Sequence, residues 1–165
     1  QNGANLDGVN DYFDAGSDSS LNITGDVTVA AWVKPDTLSS GPAVARWGFE
    51  SPYGILLNSV GSIHFILHTV QGAWQDFVSP AVILLGQWQH VAVVRQGTTY
   101  RIYHQGEQIF SGVNTNTPSP GAGTFKIGAG SVGDIQKFDG TLDEIYIYNR
   151  ALNNSEIKAL YNATK

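Results

Sequence analysis

Two tryptophans, Trp47 and Trp74, stand in the turn-rich stretches ARWGFESPYG and VQGAWQDFVSP, in the company of Arg46, Tyr53, Gln75 and Asp76. A flat indole covers the apolar C–H side of a sugar ring. The amide, carboxylate and guanidinium groups around it can hold the hydroxyls, which is the mixture a saccharide site needs. His64 and His68 flank Ile66 at two-residue steps, so on a strand both imidazoles project from one face into the same space. A zinc site would need a third ligand, which this neighbourhood does not supply. Taken singly, each tryptophan reads as a cover over a sheet edge; taken as a cluster they read as a binding surface. Trp32, among small residues in mid-strand, and Trp88, beside His90, Ala92 and Val94, read as core. His90 is expected to donate to a backbone carbonyl there, and His104 falls in a hairpin.

The acidic residues admit two readings. Asp143 alternates with Ile145 and Ile147, which places its carboxylate on a side that otherwise enters an apolar layer, where a charge needs a partner. A calcium ion shared with Asp7 and Asn10 of the N-terminal turn would serve, since carboxylate, amide and carbonyl oxygens suit a hard cation. Equally, Asp7 and Asn10 make only turn hydrogen bonds, and Asp143 pairs with Arg150 or with backbone amides. Catalytic patterns are missing. No Gly-x-Ser-x-Gly elbow accompanies the scattered Ser, His and Asp residues, and no Lys follows the GAGSVG stretch to make a phosphate loop. Asp143 and Glu144 are neighbours on one strand and point to opposite faces, so they cannot oppose each other across a cleft as glycosidase carboxylates do.

Short alternating runs of Val, Ile, Tyr and Phe between Gly, Pro, Asn and Ser predict many strands. Val27 to Lys34, stopped by Pro35, puts Val27, Val29, Ala31 and Val33 on one face and Thr28, Ala30, Trp32 and Lys34 on the other. Further strands are expected over residues 53–58, 63–69, 88–95, 125–128 and 141–148, with a hairpin over 100–110 turning at Gln105-Gly106. Residues 48–52, 69–76 and 112–123 carry no period and read as loops. At the C-terminus Asn153 and Glu156 form a capping-box pattern ahead of Ile157, Leu160 and Tyr161, which predicts a short helix.

Composition limits the partners. The chain has 165 residues and a formal net charge of −5, with 14% charged residues and no cysteine. Without a Lys/Arg cluster, neither a nucleic-acid backbone nor an anionic membrane surface is an expected partner. No apolar run is long enough to span a bilayer, so no membrane insertion is expected. The hydroxyl- and amide-rich surface suits a secreted or cell-surface protein, the absence of Met reads as a mature fragment or an excised module, and membership of a larger multidomain protein is expected.

The order of motifs LDGVNDYFDAG, LNITGDVTVAAWVKP, GQWQHVAVVRQGTTYRIYHQGE, FKIGAG and FDGTLDEIYIYNRALNNSEIKALY resembles the laminin-G-like, concanavalin A-like jelly-roll family from end to end. The resemblance implies two antiparallel sheets, one convex and one concave, glycan or protein ligands at the concave face or rim loops, and often a bound calcium ion. Catalytic jelly rolls with Glu-x-Asp-x-x-Glu or Gln-Ile-His strands are not matched, since SIH and DIQ occur here without the companion residues. The expectation is therefore an all-β, two-sheet antiparallel sandwich with a short C-terminal helix, residues 1–165 forming one jelly-roll domain. Its expected function is that of a non-catalytic carbohydrate-binding module, stabilised by calcium, that tethers a larger protein to a polysaccharide. An adhesion or protein-interaction domain is the alternative, and a small hydrolase or lyase on the same scaffold the third.

Overall fold

The computed structural model describes residues 2–38, 43–47, 50–130 and 136–165, and the side chains of residues 43 and 47 lie outside that description. The described residues form twelve strands in two sheets. The first sheet contains β1 (Ala4–Asp7), β3 (Val27–Pro35), β8 (Gln89–Gln96), β9 (Thr99–His104), β10 (Glu107–Val113) and β12 (Asp139–Tyr148), in the order β1-β12-β3-β8-β9-β10. The second contains β2 (Phe13–Asp14), β4 (Ala43–Trp47), β5 (Gly54–Leu57), β6 (Ser62–His68), β7 (Trp74–Ala81) and β11 (Phe125–Ile127), in the order β2-β11-β4-β5-β6-β7. Neighbours are antiparallel throughout both sheets. The chain thus is the two-sheet antiparallel sandwich that the alternation predicts.

The core follows from the two-residue period. Val27, Val29, Ala31 and Val33 of β3 and Val91 and Val93 of β8 meet Ile55, Leu57, Ile63, Phe65 and Leu67 of β5 and β6, all fully buried. Polar and large residues of the second sheet alternate outward, which makes that outer face available to a ligand.

The other face of β3 is buried too, with Trp32 in an apolar layer as its reading as core expects, but outside the space between the sheets. Thr28, Ala30 and Trp32 are as buried as their core-facing neighbours, because helix α1 (Asn154–Thr164) lies over them. A smaller apolar cluster forms there from Ala30, Ala92, Val94, Tyr103, Leu152 and Ile157. Trp32 donates from Nε1 to Thr164 Oγ1 at 2.8 Å and stacks on Tyr161 at 5.7 Å. The helix starts where the capping box requires: Asn153 Oδ1 accepts from the Glu156 amide, and Glu156 Oε2 from the Asn153 amide. Gln105 and Gly106 both take positive φ at the expected hairpin turn, 52° and 77°.

Two expected loops contain strand. Residues 74–81 form β7, so Trp74 opens a strand and only the Val70–Ala73 turn precedes it. Trp47 closes β4, with its backbone opposite Phe125. The sequence signal failed because β7 is the edge strand of its sheet. Its outward residues face solvent and Pro80 lies inside it, a position that edge strands tolerate.

Candidate ligand-binding groove

The register of the second sheet lines up one lateral row across its outer face. Arg46 on β4 faces Gly54 on β5, Gly54 faces Ile66 on β6, and Ile66 faces Asp76 on β7. A parallel row holds Leu56, His64 and Val78, and His68 stands opposite Trp74. Strand pairing alone therefore brings together Arg46, His64, His68, Trp74 and Asp76, five of the residues singled out for sugar contact.

Gly54 makes the row a hollow. A Cβ there would lie 2.8 Å from Arg46 Cβ and 3.3 Å from Ile66 Cγ1, so a side chain would fill the space between them. The result is an open groove of about 330 Å³ bordered by Arg46, Leu56, Ile66, Trp74, Asp76 and Gln136. One wall is indole, the floor is aliphatic, and amide, carboxylate and guanidinium groups stand at the sides.

The walls are held in place. The Arg46 guanidinium lies 4.9 Å from the centroid of the Trp74 ring and donates from Nη1 to Gln136 Oε1 at 2.7 Å. Burial pulls its pKa down to about 10, which leaves it charged at neutral pH. His68 meets the Trp74 ring edge-on at 5.1 Å, with its own Nδ1 3.1 Å from Ser119 Oγ. Trp74 keeps 49% of its surface exposed despite these supports. His64 Nδ1 lies 2.8 Å from Asp76 Oδ2, so the imidazole orients the carboxylate at the groove.

Other sequence-selected residues fall elsewhere. Tyr53 is fully buried, packs on Phe125 at 5.6 Å and donates its hydroxyl to the Leu21 carbonyl. It is core, and contact with a ligand at this face is corrected: Tyr53 precedes the outward Gly54 by one residue and so points inward. Gln75 likewise points inward, where its Oε1 accepts from Asn114 Nδ2, although it borders the groove. Trp47 belongs to β4 by its backbone, and its side chain lies outside the described residues. Gln136 and Gly54 were missed. Nothing local marks Gln136, which reaches Arg46 from 90 residues away, whereas Gly54 opening an alternating run was a readable sign of close approach.

Asp7, Asn10 and Asp143 are not brought together. Asp7 faces Asp139 across β1 and β12, and Asp143 stands four residues further along β12. At about 3.4 Å per residue this separation exceeds the reach of one ion. Asp7 Oδ1 instead accepts the amides of Val9, Asn10 and Asp11, which hold its pKa below the usual carboxylate value. Asp143 does not enter the core, because a bulge breaks the alternation at Glu144, whose φ is 48°. It lies opposite Trp32 on the outer face and accepts the Glu144 amide at 2.9 Å. Arg150 pairs with Glu156. Among the described residues no three His, Asp or Glu side chains converge on a metal position. These three residues therefore do not fit a shared calcium ion.

Residues 7–158 match the family model of the concanavalin A-like lectin/glucanases superfamily, of laminin G type. The chain belongs to that superfamily. No curated protein sequence matches it. Among solved structures this lectin/glucanase-type chain is similar to the CBM40 of Ruminococcus gnavus IT-sialidase bound to α2,3-sialyllactose. The TM-score is 0.84 at 14% identity, over 98% of this chain and 97% of that one. It is also similar to domain 4 of AbnA, a GH43 extracellular arabinanase from Geobacillus stearothermophilus, in complex with arabinotriose. There the TM-score is 0.66 at 24% identity, over 94% of this chain and 70% of the other. A heptameric SAP-like pentraxin from Limulus polyphemus gives a TM-score of 0.71 at 18% identity, over 97% and 81% of the two chains. At these identities the likeness is one of fold.

Proposed function

We propose that the chain is a non-catalytic carbohydrate-binding module that holds a secreted or cell-surface protein on a polysaccharide. The observation that carries this reading is the half-exposed Trp74 indole at a groove whose other borders are an aliphatic floor and hydrogen-bonding side chains. A pyranose or furanose ring laid against the indole buries its C–H face, while its hydroxyls reach Asp76, Gln136 and Arg46. The openness of the groove suits an extended chain held at internal units. The sialyllactose-bound and arabinotriose-bound neighbours lend support to a sugar as ligand. Among the described residues that border the groove Asp76 is the one carboxylate, and His64 is tied to it, an arrangement that supports binding rather than the two opposed acids of glycoside hydrolysis.

Protein adhesion is favoured by one observation, the adjacent Leu84 and Leu85, each more than half exposed in the loop after β7. A glycan array probed with wild type and with Trp74→Ala separates the two readings. Glycan binding that is lost in Trp74→Ala, with the melting temperature unchanged, is the expected result. Binding to no glycan, or binding indifferent to Trp74, would reject the groove.

A further inference from the structure

The charges at the Trp74 groove are unequally reachable. Among the described residues that border it, Arg46 is the one cation and Asp76 the one carboxylate. Arg46 is 4% exposed, with its guanidinium over the Trp74 ring and Nη1 donating to Gln136 Oε1. So covered, it cannot lie side by side with a ligand carboxylate, which is how an arginine recognises one. Lys126, opposite Arg46 on β11, stands on the far side of it from the groove and holds its ammonium 4.8 Å from the Tyr12 ring. Asp76, by contrast, keeps 48% of its side chain exposed on the edge strand β7.

The hydrogen-bonding roles at the groove are fixed as well. His64 Nδ1 lies 2.9 and 2.8 Å from the two Asp76 oxygens. A carboxylate only accepts, so Nδ1 carries the proton, and Asp76 is held as an acceptor with lone pairs to spare on both oxygens. Arg46 only donates, so the Gln136 oxygen faces it and the Gln136 NH2 is the end left to donate to a ligand. The groove thus offers an apolar indole face, one charged acceptor and one neutral donor. A hydroxyl satisfies both polar groups, because it donates to Asp76 and accepts from Gln136. A ligand carboxylate or sulfate accepts from Gln136 but brings no proton to Asp76, and it sets a second negative charge against the first.

We propose that Asp76 is the specificity-determining residue of the groove and that the sugar unit stacked on Trp74 is uncharged, with uronate, sialate and sulfated units turned away. The inference rests on the carbohydrate-binding reading given above and adds its ligand class. It sets this chain apart from the neighbour bound to sialyllactose, whose likeness is one of fold.

The test compares ligands matched in backbone and different in charge, on a glycan array and then by calorimetry at neutral pH. Oligogalacturonates are set beside their methyl esters, and any other neutral glycan that binds is set beside the derivative with its primary hydroxyls oxidised to carboxylates. Wild type should bind the neutral member about tenfold tighter or more at low salt, and the gap should narrow at high salt, as screening of an exposed charge requires. In Asp76→Asn the neutral ligand should bind more weakly and the acidic one more tightly, so that their ratio falls towards one. Wild type that binds the acidic member as tightly as its neutral partner overturns the proposal, and so does a preference that survives in folded Asp76→Asn. The salt series needs no variant: a preference indifferent to salt also overturns it, by assigning selectivity to shape. Each of these results leaves the carbohydrate reading standing, since glycan is bound. If wild type binds no glycan, neutral or acidic, that reading fails and the selectivity falls with it.

Discussion

The Arg46 guanidinium lies over the Trp74 ring, 4.9 Å from its centroid, across a groove that four strands build between them. The cation holds the indole by its quadrupole and is itself fixed by Gln136. Replacing Arg46 with Met removes the charge and keeps the bulk. Glycan affinity measured by calorimetry should fall about tenfold, equivalent to 1.4 kcal/mol. Unchanged affinity in a folded Arg46→Met protein would show that the guanidinium plays no part in shaping the site.

Gly54 sets the depth of the groove. In Gly54→Ala the added methyl would stand 2.8 Å from Arg46 Cβ and 3.2 Å from the Ala45 carbonyl oxygen. Overpacking of this kind costs about 1–3 kcal/mol, to be read from urea unfolding, and glycan binding should weaken in parallel. A variant as stable as wild type and binding equally well would mean that the space is not used.

Asp7 is expected to stabilise its turn without a metal. Three backbone amides lower its pKa, the Asn10 amide most. A depressed folded-state pKa means that the contribution is present above the unfolded value and is lost as pH falls through the folded one. The thermal shift of Asp7→Ala relative to wild type should be the same with calcium and with chelator. If chelator lowers the melting temperature of wild type but not of Asp7→Ala, an ion is bound there after all.

His90 should make stability depend on pH. Burial beside Trp32 and Tyr161, with a smaller repulsion from His104, lowers its pKa from 6.5 to about 4. Between these values the unfolded chain binds a proton that the folded chain refuses, so stability falls as pH drops from 6.5 towards 4. The loss attributable to His90 is on the order of 3 kcal/mol at most. Urea unfolding of wild type and His90→Phe at pH 7 and pH 4.5 isolates it from the carboxylates, and the variant should lose less. Equal losses would place the effect elsewhere. The expected bond from His90 to a core carbonyl does not form, since its buried Nδ1 has no partner among the described residues.

Much of this protein is written in local sequence. Period-two alternation in VTVAAWVK and SIHFILH decides which side chains enter the core, because successive residues of a strand must point to opposite faces. The same rule placed His64 and His68 on one outer surface. The Asn153 to Glu156 capping box and the Gln105-Gly106 turn close within a few residues, so their geometry needs no distant partner. Long-range pairing decided the rest. Whether Trp74 opens a strand or rides a loop depends on β6 lying beside it, and whether Arg46 reaches Trp74 depends on a register across β4 to β7. The bulge at Glu144 reversed the face given to Asp143, since one extra residue in a strand inverts every position on one side of it. Trp32 is buried on the side away from the sandwich core only because a helix more than a hundred residues later folds back over β3. Sequence alternation sorts inside from outside along each strand; only the docking of strands and helix decides which outward side chains meet, and which of them stay in contact with water.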